Sequence, residues 1–358
     1  MKRIGKVLSS GNFGFPLLFL VFNLCYNNFI MTTNELHKFL EYLTQQNIVW
    51  APQRINGELV IEQVIDPKNV ELTSVMPLHS FKRILVPPKE VLFSYQQNQI
   101  KPDIKSPSQV IFGLTIPDLK AVTFLNQVFA EDPYFQERIK KTLIIGHSLV
   151  PKEGYQFFIQ NFAEDVLEHL KFDVFLAVQG KNFMVYTGSE DGQRLLDDFG
   201  MKNYMHIEYA GPIREEGPDG QMLKIREKFY DNPKIWQELG QRCIECGKCT
   251  LICPTCFCFD TFDQPALEKH CGQRCRAWAT CFYTDFSEVA GREIDKMKPK
   301  FLKNTPERIR FWYEHKFVRC PDEFSLAGCV GCGRCTKVCP VGIDIKETLQ
   351  KILKGKVK

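Results

Sequence analysis

Cys243, Cys246, Cys249 and Cys253 follow one another with spacing C-x2-C-x2-C-x3-C, and Pro254 comes next. Cys329, Cys332, Cys335 and Cys339 repeat the spacing, again followed by a proline, Pro340. A [4Fe–4S] cube needs one thiolate on each of its four irons. Three thiolates on one tight loop can reach three corners, and a fourth beyond a turn points elsewhere. Structural zinc would need two close pairs of ligands, and disulfides need no such register. The two copies therefore predict two [4Fe–4S] clusters and the transfer of single electrons.

Because the fourth cysteine of such a run ligates the other cube in two-cluster ferredoxins, the expected ligands are crossed. Cluster I takes Cys243, Cys246, Cys249 and Cys339. Cluster II takes Cys329, Cys332, Cys335 and Cys253. Gly247, Gly331 and Gly333 would let the loop backbone approach the sulfurs, or simply serve as turn residues. Six further cysteines share this half of the chain: Cys256, Cys258, Cys271, Cys275, Cys281 and Cys320. Cys256, Cys258 and Cys281, with Cys271 or Cys275 as a fourth ligand, could form a third metal centre. The competing reading is that all six are small buried side chains around the cubes. Among the cations Arg308, Arg310, His315 and Lys316, either some face a cluster or a partner, or all belong to a solvated helix face.

These residues need a scaffold. Fourteen of the 15 cysteines lie from Cys243 onward, so the 358-residue chain divides by composition. With 46 basic against 42 acidic residues the net charge is too small to argue for nucleic acid, and 44% hydrophobic residues describe an ordinary globular protein. The expected class is α+β: an α/β domain over 31–235, then a mostly helical ferredoxin-type dicluster domain over 236–358 with a helical insert at 254–328. Residues 1–30 read as a non-native extension or a short hydrophobic segment, too short to span a bilayer. Strands are expected at Leu59–Ile65, at Arg83–Phe93 with Pro87-Pro88 interrupting it, and at Gln109–Ile116, Thr142–Val150, Phe172–Val178 and Asn182–Thr187. Helices are expected after Met31, after Pro117, and over Phe162–Leu170, Ser189–Phe199 and Met222–Gly240. Within the insert, Pro265–Cys271, Ala277–Glu293 and Pro306–His315 read as helical. His147 and His169 read as core or surface residues, and Asp118 as a first-turn dipole partner. The chain has neither a G-x-G-x-x-G nor a Walker loop, and shows no Ser/His/Asp or paired-carboxylate arrangement.

Cys-Pro-Thr-Cys-Phe-Cys at 253–258, Trp278-Ala279-Thr280-Cys281, Phe286 to Gly291, His315-Lys316-Phe317 and Cys-Val-Gly-Cys-Gly-Arg-Cys at 329–335 occur in this order. The pattern resembles the family of the sulfhydrogenase iron–sulfur β subunit, which also includes the dicluster iron–sulfur component of anaerobic sulfite reductase. A weaker likeness over 75–200 rests on Phe81-Lys82, Pro87 to Phe93, Phe112-Gly113 and Asp118-Leu119. Where that family commonly has Cys before Asp-Leu, this chain has Pro117. The resemblance implies an anaerobic electron-relay subunit of a hetero-oligomer. It would link a flavin-containing, NAD(P)-reacting partner to a hydrogenase or sulfite-reducing partner. A self-standing iron–sulfur oxidoreductase with its substrate in the N-terminal domain is the alternative, and clusters serving only as structural staples a third. Thiolate ligands left free of disulfides argue for a reducing cytoplasm.

Overall fold

A computed structural model of the chain describes residues 30–97, 99–151, 164–212, 220–267, 270–289, 291 and 298–355. The readings of residues 1–29, and of Phe162 and Ala163 at the start of the expected helix Phe162–Leu170, lie outside the described residues. That helix is present at Glu164–Leu167. The structure is α+β, with two sheets and a helical C-terminal region.

The first sheet contains β1 (Ile30–Met31), β2 (Ile48–Ile55), β3 (Glu58–Gln63), β6 (Gln109–Thr115), β7 (Thr142–His147), β8 (Val174–Gln179), β9 (Asn182–Thr187) and β10 (Met205–His206). Strands β2, β6, β7 and β8 run parallel, with β3 and β9 antiparallel at their flanks. Every residue of β6 is buried, as its unbroken apolar run requires of a central parallel strand. Gly113 interrupts it with φ +77°, and a Cβ there would meet Pro52 Cδ at 2.9 Å. The ladder shifts register at this point, between Phe112 and Leu114.

The helix Thr33–Gln46 covers one face of the sheet with Leu36, Phe39, Leu40 and Leu43. It starts at a reciprocal capping box between Thr32 and Glu35. On the other face the helix Ile116–Val128 is buried on nearly all sides, because the cysteine-rich half packs against its outer surface. Phe124 there meets Phe257 and Phe324.

The second sheet has the order β11–β12–β4–β5, built from β4 (Lys89–Gln96), β5 (Gln99–Pro102), β11 (Phe259–Pro265) and β12 (Cys271–Trp278). Strands from both sides of residue 235 thus share one sheet. Arg276 of β12 pins the junction through Glu90 and Asp132, and Arg138 also holds Glu90 at 2.7 Å.

Several expectations need correcting. The insert is not uniformly helical: Pro265–Cys271 and the start of Ala277–Glu293 belong to or join the β11–β12 hairpin. Among the described residues, only Thr305–Glu314 matches an expected α-helix there. Cys271 and Cys275 stand four apart, a spacing shared by one helix face and one strand face, so periodicity could not arbitrate. Pairing with β4 decided it. Arg83–Phe93 is split into a helical turn, Lys82–Leu85, and β4, because Pro87-Pro88 cannot continue a helix. Met222–Gly240 is two helices, Gln221–Lys228 and Lys234–Arg242, the second starting at Pro233.

The C-terminal core gathers these two helices with Thr305–Glu314 and Ile345–Lys354, through Trp236, Leu239, Trp312, Tyr313, Leu349 and Ile352. Among the described residues no helix is long and apolar enough to cross a membrane.

Candidate metal centres

The two cysteine loops have the same backbone. In the first, Glu245 and Gly247 have φ of +54° and +70°. In the second, Gly331 and Gly333 have φ of +68° and +72°. These left-handed turns curl each loop around its thiols and open a one-turn helix, Lys248–Leu251 or Arg334–Lys337, that carries the third cysteine. Cys253 and Cys339 lie just beyond those turns, and the two short helices pack on each other. Backbone amides turn toward sulfur. Glu245 N donates to Cys243 Sγ at 3.4 Å and Ile343 N to Cys339 Sγ at 3.3 Å. Gly331 N and Arg334 N donate to the Cys329 and Cys332 thiols.

One cavity, of about 40 Å³, is lined by Cys243, Cys246, Cys249 and Cys339, with Cys335 also on its wall. A second, of about 10 Å³, is lined by Cys253, Cys329, Cys332 and Cys335. Each triplet therefore shares its cavity with the fourth cysteine of the other run. Cys335, Trp312 and Ile345 border both cavities.

The residues fit anionic iron–sulfur groups. Burial pushes the Cys329 thiol up to about 12 and holds those of Cys335 and Cys249 well above the usual thiol range. Thiolates here therefore need cations close by, whether irons or lysine. Lys316 Nζ lies 3.3 Å from Cys253 Sγ and 2.7 Å from Gly328 O, and it also donates to Thr255 Oγ1 at 3.2 Å. Burial alone would pull Lys316 down, but the Cys253 thiolate, with the sulfurs of Cys256, Cys329 and Cys320 around it, holds it well above the usual lysine range. A hydrogen bond from Cys256, aided by Lys316, sets Cys253 well below the usual thiol range against its burial. The buried indole N–H of Trp312 has no partner among the described residues, and it borders both cavities. No three His, Cys, Asp or Glu among the described residues converge as on a single metal ion. Thiols set around a cube, one to a corner, do not converge in that way.

Two residues that anchor the site gave little sign of it in sequence. Asp118, read as a dipole partner, makes a bidentate pair with Arg334 at 2.6 and 2.9 Å, with both side chains at most 2% exposed. Arg334 also donates to Pro77 O at 2.8 Å. The second cysteine loop is thereby bolted to the start of the helix Ile116–Val128. Lys82 is buried with its Nζ 3.1 Å from Leu251 O, 3.2 Å from Cys256 O and 4.0 Å above the Trp278 ring. Of the four cations singled out in sequence, Lys316 meets the thiols, and His315 sits between the rings of Phe257 and Phe311. Arg310 is exposed. Arg308 is buried but bonds the carbonyls of Cys281, Tyr283 and Leu302, and pairs with Glu245 at 3.4 Å. His147 is buried, with Nδ1 accepting from Leu149 N, and His169 Nδ1 meets Gly211 O, so both serve packing. Cys271 and Cys275, offered as fourth ligands of a third centre, lie on β12, where Cys275 faces Gln264.

Residues 242–343 match the family described as 4Fe-4S dicluster domain. "Sulfhydrogenase 2 subunit beta" of Pyrococcus furiosus is 26% identical over 337 residues, 89% of this chain and 96% of that protein. "F420-dependent formate dehydrogenase subunit beta" of Methanocaldococcus jannaschii is 26% identical over 169 residues, covering 44% of this chain and 35% of that protein. No solved structure matches the chain. The chain thus carries a 4Fe-4S dicluster domain over residues 242–343 and is a homologue of a sulfhydrogenase beta subunit.

Proposed function

We propose that the chain is the electron-relay subunit of a multi-subunit oxidoreductase. It would pass electrons between a flavin-containing, NAD(P)-reacting partner and a hydrogenase or sulfite-reductase type catalytic partner, in a reducing cytoplasm. The observation that carries this reading is the pair of four-thiol cavities sharing Cys335, Trp312 and Ile345 as walls. When bound there, two [4Fe–4S] clusters supply one-electron transfer; a single staple would not need a neighbour. The proposed ligands are Cys243, Cys246, Cys249 and Cys339 for one, and Cys329, Cys332, Cys335 and Cys253 for the other.

The remaining residues act on these thiolates. Amides of Glu245, Gly331, Arg334 and Ile343 donate to sulfur and so favour added negative charge. Lys316 offsets charge beside Cys253. Phe282, Trp312, Tyr313 and Ile345 give the first cavity an apolar lining. Arg242, donating to Val341 O and Gly342 O, holds the segment after Cys339 against the helix that leads into Cys243. The names of the relatives, each a beta subunit, favour a place within a larger assembly.

Purification from its own cells tests this reading. The chain is expected to emerge with a flavoprotein and a larger catalytic redox subunit. Isolated, it should show cluster absorbance but no turnover with hydrogen, sulfite, formate or NAD(P)H. Turnover by the isolated chain would overturn the relay in favour of a self-standing enzyme.

A further inference from the structure

We infer that Cys256, Cys258, Cys281 and Cys320 hold a third [4Fe–4S] cluster, in a cavity separate from the two that the repeated motifs line. The inference rests on the reading that those motifs hold clusters, and extends it to thiols outside both runs. The third cavity measures about 20 Å³, between that of Cys253, Cys329, Cys332 and Cys335 at about 10 Å³ and that of Cys243, Cys246, Cys249 and Cys339 at about 40 Å³, and these four cysteines lie on its wall. They come from separate places. Cys256 and Cys258 follow Cys253, Cys281 follows β12, and Cys320 begins the turn of helix Cys320–Phe324. The last placement depends on the π turn His315–Arg319, which extends the helix Thr305–Glu314 and seats Lys316 on the same wall.

Packing alone does not account for this. Interiors are close-packed, and cysteines acting as small apolar side chains would fill space against their neighbours. Here four of them surround a cavity that Lys316 also lines. Lys82 Nζ fixes the backbone of this segment from outside the cavity by donating to the carbonyls of Leu251 and Cys256. Four thiols from three separate segments around one void are the ligand set that a cubane requires. Gly328 lets the backbone close on the site, since a Cβ there would lie 3.1 Å from Cys320 Sγ. A mononuclear ion fits less well, because no three of these groups converge on a point. Trp312 borders all three cavities, so the proposed centre adjoins the other two.

The test is iron and sulfide analysis of the full chain, prepared and reconstituted without oxygen, with Mössbauer and EPR spectra of its oxidised and reduced forms. About twelve irons and twelve sulfides per chain are expected, four for each cube. Cys281→Ala and Cys320→Ala should each lower both counts to about eight. The signals that Cys243→Ala and Cys332→Ala remove should persist in these two variants. Cys271→Ala, on β12, should change nothing. If one variant fails to fold, the other carries the test. About eight irons in the parent chain, unchanged in Cys281→Ala and Cys320→Ala, would overturn the third cluster. So would one zinc per chain that is lost in Cys281→Ala. Failure of the underlying two-cluster reading would look different: Cys243→Ala and Cys332→Ala would leave the iron count unchanged.

Discussion

The two cysteine loops repeat each other's spacing and backbone turns, yet they are held in different ways. In the first, the residue before the third cysteine is Lys248, exposed to solvent, and Ile244 is 61% exposed. In the second, the same position is Arg334, 2% exposed and locked to Asp118 of the α/β half. At the second position after the first cysteine the contrast reverses. The first loop forces Glu245 into a left-handed turn and pairs it with Arg308, whereas the second uses Gly331. One backbone design thus serves two settings. The second loop is built into the body of the protein, and the first stands nearer the surface, where a redox partner can approach.

The largest expected effect breaks the second anchor. Asp118→Asn leaves the Arg334 guanidinium buried without its counter-charge, and removing one member of such a pair destabilises by about 3–5 kcal/mol. Lys248→Gln, at the matching place in the first loop, should stay within about 0.5 kcal/mol. Denaturant unfolding of the two variants measures the contrast. Similar losses in both would erase it.

A smaller effect comes from acid. His147 lies near Asp118, and burial lowers its folded pKa from 6.5 to about 4. Its folded form therefore stays neutral where the unfolded chain takes up a proton, so stability falls as the pH drops below 6.5. Between pH 7.5 and 5.5 the loss from this group should be on the order of 1 kcal/mol. His147→Gln should flatten that part of the profile, and an unchanged slope would assign it elsewhere. Asp173, which burial raises from 3.8 to about 6, acts in the opposite sense. It favours the fold at low pH and loses that contribution as the pH rises toward 6, so the histidine is best read by difference between parent and variant.

The smallest effect sharpens the comparison electrically. Lys316 borders the cavity of Cys253, Cys329, Cys332 and Cys335 but not that of Cys243, Cys246, Cys249 and Cys339. Lys316→Met removes a positive charge that favours the reduced state. The potential of the second-loop cluster should fall by on the order of tens of millivolts, and that of the first by less. Equal shifts in a redox titration followed by EPR would place Lys316 equally close to both.

Much of the molecule could be read along the chain. The cysteine register, the buried strand Gln109–Thr115 and the capped helix after Met31 each depend on neighbours a few residues apart. What could not be read depends on distant partners. Asp118 meets Arg334 across 216 residues. The hairpin Phe259–Trp278 is a strand pair because β4 offers it an edge. Lys82 looks like any surface lysine in sequence and Lys316 is one of four candidate cations there, and only the tertiary fold shows that both are enclosed. Cys320 has no neighbouring cysteine to signal a chelate, so its place beside Cys256, Cys258 and Cys281 comes from the turn of helix that carries it.

The central claim is that the two motifs exchange their fourth ligands. Cys339→Ser, examined by Mössbauer and EPR spectroscopy in the anaerobic full chain, tests it most directly. The account predicts damage to the cluster that Cys243→Ala removes, with the cluster that Cys332→Ala removes left intact, and Cys253→Ser should give the converse. Damage from Cys339→Ser confined to the cluster of Cys329, Cys332 and Cys335 would contradict it.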